Sequence, residues 1–185
     1  IAIGLVAINL VSCKKKEETK AEDHTVTHPV TTPLNINYPA AYIVNGSSNN
    51  ISVIKLSDNT VTETISLNGA TFPHHIYLNP TKTKMAVAIT SKDLSEGHAG
   101  HGGSVAGQKI QIIDVVTGNI DKEISVSQLP HNAIYNPTGT ELWIPQGDSV
   151  SGTVIVYKTS DWTLQNTINV GQLPSEVTFS NDGSK

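Results

Sequence analysis

Phe72-Pro73-His74-His75-Ile76-Tyr77-Leu78-Asn79-Pro80-Thr81-Lys82-Thr83-Lys84 has a second copy, Leu129-Pro130-His131-Asn132-Ala133-Ile134-Tyr135-Asn136-Pro137-Thr138-Gly139-Thr140-Glu141. A third, looser copy is Leu173-Pro174-Ser175-Glu176-Val177-Thr178-Phe179-Ser180-Asn181-Asp182-Gly183-Ser184-Lys185. Each runs in the same order: an apolar residue, a proline, two polar residues, a short apolar run and a polar turn. A unit that recurs at this scale marks a repeat architecture, in which each repeat is one supersecondary element.

Between the copies the chain alternates short apolar runs with turns. Ala41–Asn45, Ile51–Leu56, Thr60–Leu67 and Ile76–Leu78 read as strands, punctuated by Gly46–Asn50, Ser57–Asn59 and Asn79–Lys82. The cycle restarts with Lys84–Thr90, Lys109–Val115 and Ile120–Val126, and again with Leu142–Pro145, Thr153–Lys158 and Leu164–Val170. Ile54 to Ile65, Ile113 to Ile124 and Tyr157 to Ile168 are each 11 residues apart. The motif prolines lie 57 and then 44 residues apart, and the excess is mostly a loop from Ser91 to Gln108. Four strands in about 44 residues is the period of a β-propeller blade, so the expected fold is an all-β propeller of four-stranded blades. Three repeats do not close a ring, and the 185 residues read as a fragment of about three blades over 41–185.

Ala41-Tyr42-Ile43-Val44-Asn45-Gly46-Ser47-Ser48-Asn49-Asn50-Ile51-Ser52-Val53-Ile54 resembles the Tyr-Val-Thr-Asn repeat of YVTN-type β-propellers, and Asn181-Asp182-Gly183 resembles that family's Pro-Asp-Gly turn. The resemblance implies about seven blades in a complete protein. It also implies that the first strand of each blade lines a central channel. On that geometry His74, His75 and His131 fall in interblade loops at the channel mouth, and His98 and His101 in the Ser91–Gln108 loop lie on the same face. Imidazole is the commonest metal ligand and suits copper, zinc and iron, so these five histidines are the candidate ligands, with copper or haem as the candidate cofactors. Nitrous oxide reductases and cytochrome cd1-type nitrite reductases are similar in placing histidine at a propeller's channel mouth. The alternative is structural: His74 and His131 hydrogen-bonding backbone at a crowded loop. Ser175, at the same place in the third copy, argues for that alternative. Tyr42, Tyr77 and Tyr135 read as core, and Trp143 and Trp162 as packing between blades.

The N-terminus carries a different signal. Ile1–Val11 is an apolar run too short to span a bilayer and of the size of a signal-peptide core. Leu10-Val11-Ser12-Cys13 resembles the lipobox of bacterial lipoproteins, which implies cleavage before Cys13 and lipidation of that residue, the only cysteine in the chain. The expected organisation is a signal peptide over 1–12 that lacks its n-region, a disordered tether over 13–40 and blades thereafter. Lys16-Glu17-Glu18 resembles a Lys-acid-acid surface-export signal. The implied location is the cell envelope, as an outer-membrane or periplasmic lipoprotein exposed at the surface if that signal is read.

Net charge is −4, arginine is absent and the folded part has no lysine cluster, which argues against nucleic-acid binding. No nucleophile elbow, HExxH, P-loop or CxxC occurs, and no catalytic residue is assigned. The expected role is a lipid-anchored binding or scaffold module taking a protein or small-molecule ligand on its top face. A metal- or haem-binding propeller and a lactonase-like propeller enzyme are the alternatives.

Overall fold

Three antiparallel sheets follow one another along the chain, each a simple meander. The computed structural model describes residues 32–95 and 106–184. These lie in one unit, Thr31–Lys185. The first sheet holds β1 (Ala40–Asn45), β2 (Asn50–Lys55) and β3 (Thr60–Ser66). The second holds β4 (Pro73–Leu78), β5 (Lys84–Ile89), β6 (Lys109–Asp114) and β7 (Ile120–Ser125). In the third, two short inner pieces, β8 (Leu129–Pro130) and β9 (Ile134–Tyr135), both pair with β10 (Glu141–Gly147). β11 (Gly152–Lys158) and β12 (Leu164–Val170) complete that sheet. Every strand expected from the sequence is present to within about a residue or two at its ends, except at the three motif copies.

The middle strands explain the apolar runs. Met85, Val87 and Ile89 of β5 pack with Ile51, Val53 and Ile65 of the first sheet. The alternate residues Ala86 and Ala88 pack with Leu142, Ile144 and Ile155 of the third. A strand buried on both faces reads as a continuous apolar run, and Met85–Ile89 are all fully buried. Burying one Met, Val or Ile contributes roughly 1.5–3 kcal/mol, so the sheets are held face to face by these side chains. Polar contacts add to the stack. The Tyr42 hydroxyl donates to the Val115 carbonyl at 2.8 Å, and Gln111 Nε2 donates to the Leu67 carbonyl at 3.1 Å.

The repeat is exact enough to copy its irregularities. The pairing of each middle strand with its outer strand shifts at Val53/Ile54, Ile112/Ile113 and Val156/Tyr157. The turns that follow place Asn59, Gly118 and Trp162 at positive φ, each with its N–H on a carbonyl four residues back. The inner turns also place Lys82, Gly139 and Gly183 at positive φ, each with its N–H on a carbonyl three residues back. Asn79 and Asn136 pin these inner turns by accepting backbone N–H groups from Lys84 and Glu141.

Two expectations are revised. The tether was expected to run to residue 40. Ile36 is instead buried in the first core, and the N–H groups of Leu34 and Ile36 donate to Thr117 and Val116 at 2.9 Å. The apolar alternation Leu34, Ile36, Tyr38 is a strap rather than a solvated linker. The third motif copy, Leu173–Phe179, lies in no strand, because no neighbouring strand offers it a ladder. Residues 1–31, with Cys13 and the signal and tether segments, and 96–105, with His98 and His101, fall outside the described residues. Among the described residues no helix is long and apolar enough to cross a membrane.

Gly118 tests how closely strap and turn fit. A Cβ there would stand 3.1 Å from Leu34 Cδ1 and 3.2 Å from Ile65 Cγ1, at φ +68°. Gly118→Ala is expected to lower stability by about 1–2 kcal/mol. Gly171→Ala, where an added Cβ meets nothing within 4 Å, is expected to be near neutral. Thermal melts of the two variants beside the parent decide it.

Candidate metal centre

The prolines of the first two motif copies each disturb an inner strand at one place. In β4, Pro73 pairs with Ile89 and Ile76 with Val87, so His74 and His75 together oppose Ala88 alone. This is a β-bulge, which re-aims side chains out of the regular pleat. In the third sheet Pro130 pairs with Gln146 and Ile134 with Trp143, leaving His131, Asn132 and Ala133 opposite two residues. One extra residue again follows the proline. Phe72 (φ 54°) and Leu173 (φ 47°) precede the first and third prolines in the left-handed region, which bulky residues rarely occupy. In the third copy the proline is seated by glycine. A Cβ on either Gly147 or Gly152 would come within 2.6 Å of Pro174 Cδ, and the Leu173 N–H donates to the Asp148 carbonyl at 3.1 Å. That docking delivers Ser175 and Glu176 to the inner strands of the preceding blades.

The two bulges and the third copy's loop meet. The His74 and His75 rings stack with centroids 4.4 Å apart, and His131 lies 4.6 Å from His74 and 4.8 Å from His75. Each can present a nitrogen within 4.8 Å of the others. Glu176 Oε1 lies 3.4 Å from His75 Nδ1 and 3.7 Å from His131 Nδ1. Its Oε2 accepts hydrogen bonds from Asn132 Nδ2 at 2.7 Å and from the Tyr77 hydroxyl at 3.3 Å. Asn132 is fully buried, and its Oδ1 has no hydrogen-bond partner among the described residues. Burial pushes the Tyr77 phenol above its ordinary pKa, and the neighbouring Glu176 charge pushes the same way. Beside His74 a cleft of about 320 Å³ opens, lined among others by Val44, Gly46, Pro73, Thr90 and Lys92.

Sequence reasoning located three of these groups and missed three. His74, His75 and His131 come together as the channel-mouth geometry implies. The loop position expected for His74 and His75 is corrected, since both stand inside β4, in its bulge. Tyr77 is not a plain core residue: it is half-buried and its hydroxyl faces the cluster. Tyr135 is buried as expected, and Trp143 meets Phe179 edge to face across repeats at 5.5 Å. Glu176 and Asn132 went unread although a signal existed. Both stand two places after the motif proline, where the first copy has His75.

No protein-family model and no curated protein matches the sequence. Solved structures match in fold. Hydrazine synthase of Kuenenia stuttgartiensis shares 15% identity at TM-score 0.64 over 82% of this chain and 40% of its own. A 6-phosphogluconolactonase-like protein of Bacteroides uniformis shares 11% at TM-score 0.58 over 82% and 44%. The dihydro-heme d1 dehydrogenase NirN, in complex with DHE, shares 15% at TM-score 0.53 over 72% and 28%. The chain thus spans less than half the length of each structure. The neighbours are β-propellers, and the three sheets are successive blades of a partial β-propeller. At this identity the likeness shows the fold alone.

The Tyr77–Glu176 contact yields a pH test. With the carboxylate present the phenol resists losing its proton, so Glu176→Gln is expected to bring the Tyr77 titration down towards the ordinary tyrosine value. Ultraviolet difference titration against Tyr77→Phe isolates that one phenol among the five tyrosines.

Proposed function

We propose that the chain supplies a transition-metal centre to a lipid-anchored, extracytoplasmic β-propeller, with His74, His75 and His131 as nitrogen donors. The observation that carries it is the meeting of three imidazoles from two blades within 4.8 Å of one another. Packing alone gives no reason to gather three basic rings at one bulge, whereas imidazole sets of this kind suit zinc, copper and iron. Donors on one tetrahedral ion stand about 3.3–3.6 Å apart at bonds of about 2.0–2.2 Å, so rotamer changes are what bring the three nitrogens into range. The three rings lie in contact, with centroids 4.4, 4.6 and 4.8 Å apart, which leaves no slot for a planar macrocycle; a haem would need another seat. The sequence signal at Leu10–Cys13 supports anchoring through a lipidated Cys13, and so a place in the cell envelope.

A second reading, a small-molecule binding module, is favoured by the cleft at His74. The two are compatible, since that cleft adjoins the cluster. A lactonase reading rests on a fold neighbour alone. The activities named for the neighbours belong to those proteins.

Two experiments test the proposal on the full chain. Elemental analysis and calorimetric titration with Zn²⁺ and Cu²⁺ are expected to show about one ion per chain, lost in His131→Ala. Absence of stoichiometric metal, with His131→Ala indistinguishable from the parent, would sink the metal reading. For the anchor, Cys13→Ala expressed in a bacterial host is expected to move the protein from the membrane to the soluble fraction. Membrane retention of that variant argues against lipidation.

A further inference from the structure

We infer that Glu176 is the fourth ligand of this centre, so that one ion ties together the inner segments of three successive repeats. The inference rests on the three-histidine reading above and adds to it a carboxylate that the motif copies disguise.

The distances carry the argument. Glu176 Oε1 stands 3.4 Å from His75 Nδ1 and 3.7 Å from His131 Nδ1. Both contacts exceed the usual N–H···O span of about 2.7–3.2 Å, so Oε1 is not held by a close hydrogen bond from either of these nitrogens. Two donors on one tetrahedral ion, with bonds of about 2.0–2.2 Å, stand about 3.3–3.6 Å apart. The His75 separation falls within that range and the His131 separation just outside it, so a small side-chain shift brings both to the spacing of co-ligands on one ion.

The other carboxylate oxygen is already committed. Oε2 accepts from Asn132 Nδ2 at 2.7 Å and from the Tyr77 hydroxyl at 3.3 Å. A ligating carboxylate is usually held in this way, one oxygen fixed by hydrogen bonds and the other left for the metal. Asn132 has no exposed surface, so its amide is a rigid donor set by packing rather than a surface group that happens to reach. Glu176 is itself about half exposed, with 49% of its side chain open, so it is not placed by core packing. Its position follows from Pro174 docking on Gly147 and Gly152, and from these two hydrogen bonds.

Three histidines and one carboxylate, all nitrogen or oxygen donors, favour zinc or ferrous iron. They disfavour Cu(I), which prefers thiolate and thioether. Asn132 and Tyr77 are positioning residues, since they act through Glu176.

Co²⁺ is the probe, because a four-coordinate cobalt ion absorbs visible light far more strongly than a five- or six-coordinate one. The full chain titrated with Co²⁺ is expected to develop an intense visible band. Glu176→Gln is expected to bind Co²⁺ at least about tenfold more weakly and to lose most of that intensity, as two or more waters enter where the carboxylate was and raise the coordination number. Asn132→Ala is expected to weaken binding while keeping the band. His131→Ala is expected to abolish both. Circular dichroism checks that each variant is folded. If Glu176→Gln binds with parental affinity and an unchanged spectrum while His131→Ala does not bind, Glu176 is no ligand and the three-histidine centre stands. If the parent itself takes up no Co²⁺ or Zn²⁺, the metal reading falls and the fourth ligand with it.

Discussion

Burial of β5 and β6 on both faces at once is the constraint from which the rest follows. Met85, Val87 and Ile89 need one neighbouring sheet and Ala86 and Ala88 need another. A sheet apolar on both faces cannot stop at two layers, because its second face would stay wet. It must be flanked by copies of itself, and copies stacked face to face with a constant offset keep every equivalent residue in register. The smaller alanines on one face and larger Met, Val and Ile on the other are filled by complementary volumes from the adjoining blades. No single ion pair has this reach. Lys84 meets both Asp114 and Asp121, but at a rim where solvent screens the charges.

Register turns a repeat into a site. Each motif proline lacks an N–H for a ladder, and in the first two copies one extra residue follows it on the inner strand. Stacking then sets these breaks side by side near the inner edge, where side chains are not claimed by either interblade core. The breaks hold His74 and His75, then His131 and Asn132, then Ser175 and Glu176. Strain at Phe72 and Leu173 marks the same spots. Backbone irregularity held in place by surrounding packing is typical of functional positions, and here it coincides with the gathered imidazoles.

The fold was legible because its signals are local. Alternation, turn residues and an 11-residue spacing within each blade depend on neighbours in sequence, and the strands stand where those patterns put them. The strap at Leu34 and Ile36 was missed because prolines at positions 29 and 33 and a polar context suggested a tether, and only the hydrogen bonds to Thr117 and Val116 and the burial of Ile36 in the first core show where those side chains go. The histidine cluster was half legible. Equivalent positions in a repeat must come close, so His74 and His131 were expected to approach each other. Ser175 breaks the pattern of residue type in the third copy, yet its neighbour Glu176 meets His75 and His131 one place on.

By itself the sequence determined the repeat, its blade length, the position of every regular strand and the placing of His74 and His131 at equivalent points. It also carries the lipobox resemblance at Leu10–Cys13, which lies outside the described residues. Only the tertiary structure decided which side chains share the centre. Glu176 lies 99 residues from Tyr77 and 44 from Asn132 in sequence, and it meets both through one carboxylate oxygen. The physical reason is that ladders and turns act over a few residues and leave their mark on composition. Convergence at an inner edge arises from the summed rotation of stacked sheets, to which any polar residue type in the right register conforms equally well. The change from His75 to Asn132 to Glu176 along the copies is therefore invisible as a pattern and plain as a place.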